Sequence, residues 1–216
     1  MSHIRIFPVS DTREAHSLAR LHENTLPYST PLVAGLKYLR RYYTFLIDSH
    51  KELVFVARDR NSAAVAAAIV SLSPRTLSRR VLLATAASFV TGIVSSLVIG
   101  PQWRRKRILQ MLPAMFTERA SPLSSPELLY LYVATHARSK GLGKYLTQEV
   151  KSHLRAKGYE TLHVSTVDAQ RNTALDYYER NGFTRVGTFR RLGRHFALLT
   201  TKSDAAVITQ VCSQMI

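Results

Sequence analysis

Apolar and polar positions along the chain fall into runs that predict an alternation of strands and helices. Ile4–Phe7 alternates before Pro8 and reads as a short first strand. Asp11 and Glu14 then have capping-box spacing, and Ala15, Leu18, Ala19 and Leu21 form a helical face. Leu32, Leu36, Leu39, Tyr43 and Leu46 recur at helical spacing, which predicts a second helix over Pro31–Asp48. Leu53–Ala57 and Ala63–Leu72 read as a strand hairpin around the polar turn Arg58–Ser62. Further on, Glu127–Ala134 predicts a strand, Gly141–Lys157 a helix stopped at Gly158, and Tyr159–Thr166 another strand. Asn172–Arg180 predicts a helix stopped at Asn181-Gly182, with closing strands at Phe183–Phe189 and His195–Thr201.

One stretch departs from this rhythm. Val81–Gly100 is twenty residues without a charge, preceded by Arg79 and Arg80 and followed by Arg104, Arg105, Lys106 and Arg107. Its length matches a bilayer core of ~30 Å. Thr85, Ser88, Gly92, Ser95 and Ser96 place a small, weakly polar stripe on one face of the predicted helix. The many β-branched residues leave a strand pair broken at Gly92 as an alternative. Ile108–Phe116 predicts another short helix, and Ser121–Pro126 a Ser/Pro linker.

Composition narrows the partners. The 216 residues suit one domain with a real core, and 46% apolar residues exclude global disorder. Thirty Lys+Arg against fourteen Asp+Glu give a formal charge of +16, so the expected ligands are anionic. Cys212 is the single cysteine, which excludes an intramolecular disulfide framework and suits a reducing cytoplasm. No His/Cys/Asp/Glu cluster has metal-ligand spacing, and Met1–Ser10 lacks the apolar core of a signal peptide.

The candidate chemistry starts at Arg138-Ser139-Lys140-Gly141-Leu142-Gly143, between a predicted strand and a predicted helix. Two glycines allow a tight turn and close approach of a ligand. First-turn amides have no intrahelical acceptor, so the segment predicts an anion cradle suited to a pyrophosphate, with Arg138, Lys140 and Lys144 around it. It is neither a Walker loop nor the Gly-x-Gly-x-x-Gly dinucleotide turn. An ordinary strand-to-helix turn is the alternative.

A second block follows: Asn172-Thr-Ala-Leu-Asp-Tyr-Tyr-Glu-Arg-Asn-Gly-Phe183. Together the two blocks resemble the GNAT superfamily of acetyl-CoA-dependent N-acetyltransferases, densely over Glu127–Phe189 and more loosely over Ile4–Leu72. Within the motif, Thr135 and Ala137 stand where the family often has a proline and an aromatic. The resemblance implies an α/β (α+β) GNAT fold. Its central sheet would be mixed, mostly antiparallel and splayed, flanked by helices, with a helical insertion between strands 3 and 4. The expected organisation is one acetyltransferase domain over 1–216 with an apolar and basic insertion at 74–126.

The resemblance further implies acetyl-CoA as co-substrate, with no metal. Its pantetheine would lie along Leu131, Tyr132 and Val133, and its pyrophosphate on Arg138, Ser139, Lys140, Gly141, Leu142, Gly143 and Lys144. Asn172 would hold the pantetheine or, alternatively, simply cap its helix. Tyr178 matches the family's general acid, unless it packs in the core while Tyr177 faces the site. Glu127 matches a common general-base position, unless it is an exposed strand-start carboxylate. His22, His136, His163 and His195 are lesser base candidates.

The implied activity is acetyl transfer to a primary amine. A vaguer likeness of Leu21–Pro27 and Tyr38–Tyr43 to a bacterial subgroup found among envelope-polysaccharide genes points to a nucleotide- or lipid-linked amino sugar. The alternatives are a non-catalytic acetyl-CoA sensor, a nucleic-acid or membrane-binding module, or a protein N-acetyltransferase. No aromatic RNA-reading motif supports nucleic acid as partner. The flanking strands should be sheet neighbours, so the insertion cannot be a lone membrane crossing. It caps the acceptor pocket, forms a homodimer interface, or meets an anionic membrane surface through 79–107. The expected location is cytoplasmic, or peripheral at the inner membrane face.

Overall fold

The structure is a computed structural model that describes residues 5–117, 123, 125–169, 173–191 and 194–202. Its seven strands are β1 (Arg5–Pro8), β2 (Glu52–Arg58), β3 (Ala64–Ser71), β4 (Glu127–Val133), β5 (His163–Val167), β6 (Thr184–Arg191) and β7 (Arg194–Thr200). They form one sheet of order β1-β2-β3-β4-β5-β7-β6, antiparallel throughout except for the parallel pair β4–β5. The helices are α1 (Ala15–Thr25), α2 (Gly35–Asp48), α3 (Pro74–Val98), α4 (Gln102–Thr117), α5 (Leu142–Ala156) and α6 (Thr173–Arg180). This is the mixed, mostly antiparallel sheet between helices expected above, with α3 and α4 as the insertion between β3 and β4.

Alternating residues decide which helix each strand meets. Phe55 of β2 packs edge-on against His153 of α5. Its neighbours on the opposite face look towards α1 and α2, where Tyr132 of β4 reaches Tyr43. Leu146, Val150 and Leu154 are the buried stripe of α5, and Leu39, Tyr43 and Leu46 that of α2. Both stripes carry large apolar side chains at spacings of three and four, as expected for helices laid on a sheet.

Several boundaries move for local reasons. The helix expected over Pro31–Asp48 is a 3-10 turn, Pro31–Ala34, followed by α2, because Gly35 at φ 87° turns the chain between them. The strand expected from Tyr159 starts at His163 instead. Gly158 at φ 82° closes α5 in a left-handed cap, and the Tyr159 amide donates back to the Leu154 carbonyl at 2.9 Å, which holds this stretch on the helix. Pro74 opens a helix as well as closing a strand, since its fixed φ suits a first turn. The strand pair broken at Gly92 is not adopted: α3 runs unbroken through it.

Candidate active site

The turn expected to cradle an anion is held open by its backbone geometry. After β4 the chain makes a 3-10 turn, Thr135–Ala137. Ser139 and Gly141 then both adopt positive φ, 61° and 75°, and Gly141 caps α5 with no side-chain hydrogen bond. Among the described residues, no acceptor meets the amides of 139–144. They converge at the positive end of a fifteen-residue helix. Ser139, Lys140, Gly141 and Lys144 are exposed, while Leu142 is buried and anchors the turn in the core. Arg138 differs from the expectation. Its amide donates to Thr135 and its Nε to the Val133 carbonyl at 3.2 Å, so the residue braces the end of β4 and offers only its remaining guanidinium nitrogens.

The second element is a cleft in the sheet. β4 and β5 pair at Glu127↔His163 and Leu128↔Val164, and no further pairs follow. Beyond Leu128↔Val164 the β4–β5 ladder ends, which is the splay that the resemblance implies. A bulge contributes to it. Ile69 faces Tyr130 and Val70 faces Leu128, so Leu129 is the extra residue that bends β4. Leu131 and Val133 are half-buried beside the cleft. The Tyr132 side chain turns away from it, towards Tyr43, leaving its backbone as the part available to a ligand.

Two tyrosines stand on α6, and they differ in what their hydroxyls do. The Tyr177 hydroxyl shares a 2.9 Å hydrogen bond with Thr147 Oγ1 on α5. A Cβ at Gly143 would lie 3.2 Å from that same hydroxyl, so Gly143 lets α6 close onto α5. Tyr178 is 7% exposed, edge-on to Tyr177 and Phe183, and its hydroxyl bonds no described residue. Burial, and secondarily Tyr177, push the Tyr178 phenol well above its usual range, so it keeps its proton at neutral pH.

Glu127 is buried rather than an exposed strand-start carboxylate. Its Oε1 accepts from Ser165 Oγ at 2.8 Å, at the closed end of the cleft. Register places it in a polar row across one face of the sheet: Glu52, Ser71, Glu127, His163 and Thr200, all buried. Arg80 of α3 grips Glu52 through two hydrogen bonds of 2.7 and 2.6 Å. Burial lowers His163 to about 4, and its Nδ1 has no hydrogen-bond partner among the described residues. His22, also lowered to about 4 by burial, is held by Tyr43 and Ser29 at 2.7 Å each and is a satisfied core residue. His136 and His195 are exposed. Asn172 lies outside the described residues.

The structure thus brings the open amides and the end of β4 together at the start of α5, docks Tyr177 on α5 through Thr147, packs Tyr178 in the core against Tyr177 and Phe183, and leaves Glu127 at the end where the strands still pair. Ser165, Ser71 and Gly143's role beneath Tyr177 were not anticipated. Each depends on cross-strand register or helix docking, for which local sequence carries no signal.

Residues 117–191 match the family model of the acetyltransferase (GNAT) domain. The segment begins before β4 and ends with β6, so it contains the cradle, the cleft and both tyrosines. The matched segment is similar to the acetyltransferase (GNAT) domain, and the fold around it is the one that GNAT structures share. Among solved structures, the fold is similar to a putative GNAT acetyltransferase from Desulfovibrio desulfuricans at TM-score 0.59 and 14% identity, covering 91% of this chain and 97% of that one. It is similar to PaiA N-acetyltransferase from Thermoplasma acidophilum, solved with coenzyme A, at TM-score 0.56 and 14% identity, covering 94% and 100%. A polyamine N-acetyltransferase from Drosophila melanogaster, which forms N-acetylagmatine, aligns at TM-score 0.57 and 15% identity over 91% and 98%. No curated protein matches the chain in sequence.

Proposed function

We propose that the chain is one catalytic domain over 1–216, with an insertion at 74–126, that acetylates a primary amine from acetyl-CoA. The observation that carries this reading is the set of amides at 139–144 with no internal acceptor, at the start of α5. They suit the pyrophosphate, with Lys140, Lys144 and the free guanidinium nitrogens of Arg138 adding charge. The β4 edge at Leu131, Tyr132 and Val133, past the end of the β4–β5 ladder, suits the pantetheine as an added strand. When bound, the thioester supplies an activated acetyl group and a thiolate leaving group. Attack forms the C–N bond and breaks the C–S bond.

Two residues manage the protons. Tyr178, a protonated phenol with a free hydroxyl, gives its proton to the thiolate. Glu127, fixed by Ser165 at the closed end of the cleft, takes the amine's proton through Ser165 or a water. The acceptor we favour is a nucleotide- or lipid-linked amino sugar of envelope polysaccharide synthesis. The apolar and basic insertion beside the sheet supports it, since such a carrier is anionic or greasy.

Calorimetry with coenzyme A and release of free thiol with a panel of amino sugars and small amines test the reading. Tyr178→Phe should lower kcat about a hundredfold or more with acetyl-CoA binding unchanged. Absence of binding heat for coenzyme A would remove the assignment. Unchanged turnover in both Tyr178→Phe and Glu127→Gln would remove the catalytic roles while leaving a binding module.

A further inference from the structure

Helix α3 carries large apolar residues on its outer side as well as its inner one. Its buried residues are Pro74, Val81, Thr85 and Ser96. Gly92 sits so close to the 3-10 turn before α2 that a Cβ there would fall 2.2 Å from the Ala34 carbonyl oxygen. Ser96 donates to the Val33 carbonyl at 2.9 Å. The side packed against the protein thus mixes small or hydroxyl-bearing residues with Val81 and the partly buried Leu77, Phe89 and Ile93. On the opposite side Leu82, Leu83, Val90, Val94, Leu97 and Val98 point outward, Leu83 with 74% of its surface exposed. Among eighteen consecutive positions of mean hydropathy 2.0, 17% are buried.

Water does not select that arrangement. A helix packed on a soluble core turns its large aliphatic residues inward, as α2 and α5 do. A close approach at Gly92 with large aliphatics also left facing outward suits a helix whose outer solvent is hydrocarbon. Yet α3 cannot cross a bilayer alone. β3 and β4, on either side of the insertion, are hydrogen-bonded neighbours in one sheet, so both ends of the insertion return to the same side.

Charge identifies the occupant. Residues 74–107 hold seven basic side chains and no acidic one. Arg75 and Arg79 are exposed at one end of the outward face, and Arg105 and Lys106 beyond the other. A second copy of the chain docking on this face would bring cations against cations, with no carboxylate on the segment to offset them. An anionic lipid surface meets both requirements at once, taking the aliphatic side chains into its acyl boundary and the cations among its headgroups.

We propose that α3 and the start of α4 lie in the plane of an anionic membrane surface and hold the protein there as a peripheral protein. This goes beyond acetyl transfer and does not rest on it. Flotation of the intact protein tests it with vesicles of phosphatidylcholine alone and of phosphatidylcholine mixed with phosphatidylglycerol. The protein should float with the mixed vesicles and much less with the neutral ones. Leu83→Asp with Val90→Asp should return it to solution. Arg75→Gln with Arg79→Gln should lower partition about fivefold per cation removed. These side chains are exposed, so the variants should keep the melting temperature and coenzyme A affinity of the parent. Failure to float with either vesicle, or flotation indifferent to Leu83→Asp and Val90→Asp, would overturn the proposal. So would a dimer in sedimentation equilibrium that those two substitutions split, which would give the face to a second copy.

Discussion

Helices α5 and α3 both lay apolar side chains on the core but differ in what their outer sides carry. Along α5 the leucines and Val150 are inside, and Lys144, Tyr145, Gln148, Glu149 and Arg155 face out: Leu146 is 0% exposed. Along α3 Gly92, Thr85 and Ser96 share the contact with Val81, Phe89 and Ile93, while Leu82, Leu83, Val90, Val94, Leu97 and Val98 remain outside. The hydrophobic effect sorts residues by what lies on the far side of the helix, not by residue type alone. The outer side of α5 is thus the kind that faces water, and the outer side of α3 is the kind that the proposed lipid surface would cover.

The largest effect that would sharpen this contrast comes from Gly92. Gly92→Val places side-chain atoms on the Ala34 backbone, which cannot yield as a side chain can. We expect a loss of about 4 kcal/mol, read as a fall in melting temperature, with α3 displaced from α2. A cost below about 1 kcal/mol would mean that the close approach is not needed.

The leucine swap comes next. Leu146→Ala should cost about 3 kcal/mol because it leaves a cavity under α5. Leu83→Ala should change stability in vesicle-free buffer by less than about 0.5 kcal/mol. Equal costs in denaturant titrations would erase the distinction between the two helices.

Acid gives an intermediate effect, confined to the sheet and α1. His22 and His163 are lowered from 6.5 to about 4 in the folded protein. The unfolded chain therefore binds protons first as pH falls. Stability is full above about 6.5 and is lost on the way to 4, by about 2 kcal/mol per histidine at pH 5. His163→Gln should flatten the pH slope of the melting temperature between those limits, and an unaltered slope would assign it to other groups.

Sequence made one of these regions far more legible than the other. The cradle was readable because Gly141 must supply a positive φ and the adjoining amides must lack helix partners, both local facts. The splay and insertion were readable through family resemblance. Glu127 was not: its burial against Ser165 comes from strand register across β3, β4 and β5. Gly143 looked like room for a ligand, yet it also makes room for Tyr177 of another helix. For α3 the small stripe was visible at its spacing, but apolar residues all round the helix gave no sign of which side turns inward.

Arg80 gives that helix a mechanical consequence. Its guanidinium is forked onto the buried Glu52, which Ser71 also holds, so the first turns of α3 are riveted to the ends of β2 and β3. Whatever surface α3 rests on therefore sets the tilt of the whole sheet. The mouth of the β4–β5 cleft keeps a constant height and heading above that surface, instead of swinging on a leash.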